Sequence, residues 1–209
     1  MHYHRAEMIG HPRSAWGILE ENPTQAHIRK MGSALPVDFL LNVTLNHQQE
    51  ITRFYCGDVI EAHETGCVFA KETAMVACPR RYPLVITTNS GYPLDQNLYQ
   101  SVKGMCAAAE IVEEGGEIVS VARCNDGFPN HGNFAKMLAE YGSAQAMLDA
   151  IYAPGFHLLD QWQVQKLAQV LLRARVSLYS ELAPEQARQA HLSPIGDLNG
   201  YLARRLAEL

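Results

Sequence analysis

The chain has 209 residues, enough to bury a substantial core as one large domain or one and a half. It is 47% hydrophobic and 19% charged with a net charge of −5, and it has no basic block and no aromatic-rich basic patch, so nothing favours nucleic acid. The longest apolar run, Leu35 to Leu45, is broken by Asp38 and Asn42, and the N-terminus has no apolar signal core, so a cytoplasmic protein without a membrane span is expected.

Residues 1–33 open with His2, His4 and His11 and are broken by Pro12, Gly17 and Pro23. Only Thr24 to Met31 has a helical pattern, so the segment reads as a connector or as one helix packed on the rest. From Val37 to Leu45 a dense apolar run predicts a strand of the parallel or central type. A turn at Asn46–Glu50 and a second strand at Ile51–Tyr55 predict a hairpin at one side of the sheet. Gly57-Asp58 leads into a helix over about 59–75, with Ala62, Val68, Phe69 and Ala70 inward and His63 half-buried.

Pro83-Leu-Val-Ile86 predicts a buried strand that stops at Thr87-Thr88-Asn89-Ser90-Gly91. After Pro93 a helix begins, with Asp95 as its expected cap and Gly115-Gly116 as its expected end. Strand, polar turn and helix start form the kind of corner where open α/β sheets bind ligands. Gln96, Tyr99, Gln100 and Lys103 follow i, i+3, i+4, i+7 spacing and share one helix face. Leu98, Val102, Met105, Cys106 and Ala109 occupy the opposite, core-facing side. By spacing the polar stripe reads first as a solvated helix face; the alternative is a site for a small anion such as a carboxylate.

Ile118 to Ala122 predicts the next strand, parallel to the first through a β–α–β crossover. The polar loop Arg123–Gly132 lies on the same sheet edge as the Thr87–Pro93 turn, and the two are expected to wall a crevice. Helices follow at about 133–141, 143–152 and 160–173, the last with Asp160 and Gln163 in capping-box spacing. Trp162 sits off that helix's apolar face: it either packs on a neighbouring loop or lines a site near the helix start. A short strand at 176–180 and helices at about 184–190 and 196–208 complete the chain.

Five cysteines, an odd number without CxxC spacing, indicate reduced thiols rather than a disulfide framework or zinc ribbon. HExxH, G-x-S-x-G, GxGxxG and P-loop patterns are absent. His2 and His4 at i, i+2 are weak chelators by themselves, and His131 in the crevice loop is either structural or an acid or base. The residues alone reach an α/β domain with a small-anion crevice near Lys103.

Asn89-Ser-Gly-Tyr-Pro-Leu-Asp-Gln-Asn-Leu-Tyr-Gln-Ser-Val-Lys-Gly-Met105 resembles the hallmark of the nickel-dependent lactate racemase family. Gly17–Pro23, Val37–Val43, Gly57–His63 and Asp160–Gln163 resemble further family segments in the expected order. The resemblance implies a Rossmann-like three-layer α/β domain with a mostly parallel sheet, an N-terminal connector (residues 1–33) and C-terminal helices within residues 34–209. It implies the C-terminal domain only. The lysine that tethers the nickel-pincer nucleotide, the paired acid–base histidines and a substrate-binding arginine are expected in a missing N-terminal domain.

By the same resemblance Lys103 holds the substrate carboxylate, with Tyr99 and Gln100 as companions, and Trp162 lies beside the cofactor. Tyr3-His4-Arg5 resembles the segment that carries a nickel ligand, which makes His4 the metal candidate with His2 its rival. The implied activity is racemisation or epimerisation of a small 2-hydroxy acid such as lactate, through hydride removal and return at the hydroxyl-bearing carbon. A stand-alone accessory or small-anion-binding domain without catalysis is the alternative.

Overall fold

The structure is a computed structural model and describes residues 4–129 and 131–209. Contacts divide it into two compact units, one of residues 10–77 and one of the described residues up to Ile9 together with Cys78–Leu209. The boundary expected at residue 34 falls inside the first of these. His2 lies outside the described residues. No helix among the described residues is long and apolar enough to cross a membrane.

The shorter helix α1 (Ala6–Ile9) belongs to the second unit. The 10–77 unit begins its regular structure with α2 (Pro23–Gly32). Asn22 caps this helix by accepting from Thr24 N at 3.0 Å and Gln25 N at 3.3 Å, and Pro23 fills a position whose N–H would have no partner. Strands β1 (Leu40–Leu45) and β2 (Ile51–Gly57) form the expected hairpin, and Asn46 Oδ1 closes its turn by accepting from Gln48 N and Glu50 N, both at 2.9 Å. Helix α3 (Val59–Ala74), capped by Asp58, packs on the hairpin through Tyr55.

Three expectations fail in this unit. The strand starts at Leu40 rather than Val37. The hairpin is an antiparallel sheet of two strands by itself, not the side of a larger one. Val68 is 59% exposed rather than inward, because Ala62 and Gly66 take the face that meets Tyr55.

The second unit carries a four-stranded sheet in the order β3 (Tyr82–Thr88), β4 (Val112–Val121), β5 (Arg175–Tyr179), β6 (Ser193–Ile195), parallel throughout. Its helices are α4 (Leu98–Ala109), α5 (Phe134–Glu140), α6 (Ala144–Tyr152), α7 (Gln161–Arg173), α8 (Pro184–Gln189) and α9 (Leu198–Glu208). Strands that follow one another in sequence and lie side by side in parallel place their crossover helices on a common face. On that face Val85, Ile118, Val176 and Leu178 meet Leu98, Val102 and Met105 of α4 and Val164, Leu167 and Ala168 of α7 in one core. Each fully buried Leu, Val or Met there contributes roughly 1.5–3 kcal/mol. The opposite face carries Glu117 and Ser177, which bond to Tyr201 and Arg205 of α9. Helices on both faces of a parallel sheet make the expected three layers. Helix α1 joins α7 through Gln165 Nε2, which donates to the Ala6 carbonyl at 2.9 Å.

Two assignments change here. Helix α4 ends at Ala109, and Gly115-Gly116 lies inside β4. The register between β3 and β4 jumps from Tyr82↔Val112 to Leu84↔Glu117, and Gly115 at φ +73° absorbs the excess residues. Strand β6 was not foreseen: it is three residues long and contains Pro194, which only an edge strand tolerates.

Candidate functional site

The site is built on the corner between β3 and α4. Asn89 ties the corner together, since its amide donates to the Leu94 carbonyl and its Oδ1 accepts from Gly104 N at 3.1 Å. A side chain at Gly104 would overlap the Thr88 carbonyl, so glycine lets the helix seat directly on the strand end. The helix cap is Asn97, whose Oδ1 accepts from Gln100 N at 3.0 Å. Asp95, the expected cap, is taken by the loop after β4: its Oδ2 accepts from Arg123 N at 3.0 Å and its carbonyl from Cys124 N at 2.8 Å. The helix therefore starts two residues after Gln96 rather than beside Asp95.

From this start α4 leaves Lys103 exposed and Tyr99 and Gln100 half-buried, with the Tyr99 ring against Phe134, while Leu98, Val102 and Met105 are fully buried. Lys103 Nζ donates to Gln100 Oε1 at 2.7 Å. The Tyr99 hydroxyl accepts from Trp162 Nε1 at 3.0 Å, across from α7. The His4 and Trp162 rings lie with centroids 4.1 Å apart. The five sequence-predicted residues thus fall into two groups, His4–Trp162–Tyr99 and Gln100–Lys103, joined by three contacts, and Tyr99 and Gln100 are neighbours on one helix. Trp162 stands off its helix's core face and meets Tyr99 and His4 there. Burial raises the Tyr99 phenol above its ordinary range, the Trp162 hydrogen bond pulls it down and the nearby Asp160 carboxylate pushes it up.

The first turn of α7 departs from the expected capping box. Asp160 adopts φ +70° and makes no side-chain cap. It is buried, with Oδ2 unpaired beside Gly132, where any Cβ would overlap that oxygen. Gln163 does not reach back to the cap but donates from Nε2 to the Tyr99 carbonyl. Neither role was legible from spacing. The capping-box pattern was present and pointed to a different use of the same two side chains.

The second loop is laced to the stretch that follows the first: Leu98 N donates to the Gly127 carbonyl, Asp126 N to the Gln96 carbonyl, and Arg123 N and Cys124 N to Asp95. His131 is exposed at the end of the second loop. The cleft that does form, about 670 Å³, lies at the C-terminal ends of β4, β5 and β6 between Arg123, Glu181 and Arg188. None of Tyr99, Gln100, Lys103 or Trp162 lines it. All five cysteines are free, and no group of three or more His, Cys, Asp or Glu side chains capable of holding a metal occurs among the described residues. In the other unit His63 is half-buried, its Nε2 3.5 Å from Cys67 Sγ.

Comparison with known proteins bears on this arrangement. The sequence profile of the lactate racemase C-terminal domain matches residues 79–207. The lactate racemase of Thermoanaerobacterium thermosaccharolyticum is 34% identical over 202 residues, covering 95% of this chain and 47% of that protein. The lactate racemase of Lactiplantibacillus plantarum is 35% identical over 192 residues, covering 90% of this chain and 45% of that protein. The solved lactate racemase apoprotein of T. thermosaccharolyticum superposes with a TM-score of 0.88 at 33% identity, over 96% of this chain and 48% of that one. A Thermotoga maritima protein of 13% identity, TM-score 0.58, shares the fold over 84% of this chain. The chain spans about half the length of the curated relatives it matches.

Proposed function

The chain belongs to the lactate racemase C-terminal domain family, and from that premise we propose that it supplies one wall of the substrate site of a nickel-pincer-dependent 2-hydroxyacid racemase or epimerase. The other wall, with the acid–base histidines and the cofactor tether, then lies in an N-terminal domain. The observation that carries this reading is that His4, Trp162 and Tyr99 are in contact while the Gln100–Lys103 pair stands on the same helix as Tyr99.

These residues have chemical uses. Lys103 is a compact cation with donors left over after its bond to Gln100, so it binds a substrate carboxylate. Tyr99 accepts from Trp162, which leaves its own O–H to donate to a ligand. Trp162 gives a flat apolar face beside the reacting carbon. His4 offers an imidazole nitrogen, a donor that suits nickel. One such ligand is compatible with a metal whose other ligands come from outside this chain. When bound, the nickel-pincer nucleotide supplies the hydride acceptor. This chain's residues hold the acid by its carboxylate, keep water from one side, and let the planar keto acid turn between the two faces. Five free thiols suit a reducing compartment, and the cytoplasm is the proposed location.

The test is lactate racemisation by the full-length protein loaded with cofactor. Lys103→Ala, which removes a charge-assisted hydrogen bond, is expected to lower kcat/KM by roughly 10- to 100-fold. The 209-residue chain alone is expected to give no turnover. Unchanged kcat/KM in Lys103→Ala, or turnover by the chain alone, overturns the proposal.

A further inference from the structure

The hairpin of the 10–77 unit has two unlike faces. Partner positions across an antiparallel pair point to the same side. On one side lie Asn42 with Tyr55 and Thr44 with Arg53. Helix α3 covers that side: Tyr55 is 5% exposed, the Tyr55 and Phe69 ring centroids are 6.3 Å apart, and the Arg53 guanidinium sits 4.2 Å over the Phe69 ring. On the other side lie Leu41 with Cys56 and Val43 with Phe54, and Leu45 follows. That side is open: Leu41 is 62% exposed, Phe54 60% and Leu45 51%. Phe39 and Ile51, flanking the strands, are also exposed.

Helix α3 supplies the covering element that a two-stranded sheet needs, but on one side only, and the other side is left in water. Here the exposed side is the more apolar one, and the sheet has two strands only, so neither strand has a second neighbour among the described residues. A contiguous apolar surface of this kind marks an interaction site.

The comparisons bear on the choice of occupant. The C-terminal domain profile begins at residue 79, so residues 10–77 lie outside it. Yet the full-length racemases align over 95% and 90% of the chain, so this segment is shared with them. More than half of each relative precedes or follows what this chain covers. We infer that residues 10–77 complete the core of the racemase's other half, which docks on the Leu41–Val43–Leu45–Phe54 face of the β1–β2 hairpin. The inference rests on the racemase reading above. It moves the functional boundary of the C-terminal domain to about residue 78 and makes the hairpin part of its partner.

The test joins the half of the T. thermosaccharolyticum racemase that this chain does not cover to the 209-residue chain, and compares amide hydrogen exchange in the chimera and in the chain alone. The β1 and β2 amides are expected to exchange at least 100-fold more slowly in the chimera. Leu41→Ser with Phe54→Ser is expected to abolish that protection, while Leu206→Ser, exposed on α9, leaves it intact. Protected β4 amides in every variant show that the second unit is folded. Equal exchange in chain and chimera overturns the inference. Concentration-dependent protection in the chain alone, with a dimer by light scattering, assigns the face to a second copy and also overturns it. Docking without racemisation of lactate by the cofactor-loaded chimera refutes the enzyme reading and leaves the interface standing. Racemisation unaffected by the double substitution does the reverse.

Discussion

Glu117 is the most heavily bonded side chain of the second unit, and its replacement has a calculable cost. It is 1% exposed on β4, on the sheet face covered by α9. Its Oε1 accepts from Ser177 Oγ at 2.6 Å and from the Tyr201 hydroxyl. Its Oε2 accepts from Arg205 Nε at 2.7 Å and Arg175 Nη2 at 2.9 Å. Burial alone would raise the carboxyl, but the bonds from Ser177, Tyr201, Arg175 and Arg205 outweigh it and hold the group at about 2, against 4.5 for a free glutamate. The folded state thus binds fewer protons than the unfolded chain between those values, so stability rises with pH there. Holding the carboxyl at about 2 instead of 4.5 corresponds to about 3 kcal/mol, fully present above pH 5 and lost as the pH falls toward 2.

Glu117→Gln keeps the shape and removes the charge. Its amide nitrogen then faces a donor, and Arg175 and Arg205 lose their shared counter-ion. The expected cost at pH 7 is about 3 kcal/mol, in line with breaking a buried ion pair from one side. The assay is urea unfolding in a Trp16→Phe background, where Trp162 alone reports the second unit, at pH 7 and pH 3. The difference between parent and variant is expected to shrink as the pH drops, because the parent is losing what the variant already lacks. A variant within 1 kcal/mol of the parent at pH 7, or a difference that does not change with pH, refutes the reasoning.

Gly132 has φ +71° and no room for a Cβ beside Asp160 Oδ2, so Gly132→Ala is expected to cost about 1–3 kcal/mol in the same unfolding assay. Combining it with Asp160→Gly, which empties that space, should recover part of the loss. Trp162→Phe keeps an aromatic face against His4 but removes the Nε1 donor to Tyr99. That hydrogen bond lowers the Tyr99 pKa, so its loss should move the alkaline tyrosine transition upward in ultraviolet difference titration, and an unmoved transition counts against the contact.

Local patterns were legible where one residue type has one use. The hairpin at Asn46–Glu50, the β3–α4–β4 crossover and the helix start at Ser143 all depend on neighbours a few positions away, and all are present. Errors arose where two structures want the same residue. A helix C-cap and a strand irregularity both favour glycine at positive φ, and Gly115-Gly116 serves the second. Asp95 and Asn97 are equally good caps, and only the distant loop at Arg123–Cys124 decides between them. The site was half legible for the same reason. The i, i+4 spacing of Tyr99, Gln100 and Lys103 is local, and Trp162 was visible as an aromatic off its apolar face. Gln163 reaching the Tyr99 carbonyl and His4 stacking on Trp162 span 64 and about 158 residues, beyond any periodicity.

The proposed wall also differs in stiffness from end to end, and that difference can be tested at Lys103. Tyr99 is fixed on three sides: its hydroxyl by Trp162, its carbonyl by Gln163, and its ring by Phe134 with centroids 5.3 Å apart. Lys103 is exposed and held by Gln100 alone among its hydrogen bonds. On the racemase reading this division is required, because the keto acid must turn between two faces while its carboxylate stays bound. A lysine ammonium tolerates several directions of approach, whereas an arginine fork prefers one planar, bidentate pose. Lys103→Arg should therefore keep binding and hinder turning. In the cofactor-loaded full-length enzyme KM for lactate is expected within about twofold of the parent, while kcat falls about tenfold or more through lost orientational freedom. A variant that lowers kcat and raises KM together points to simple misfit of the longer side chain. One that leaves both unchanged shows that the carboxylate does not pivot on this residue.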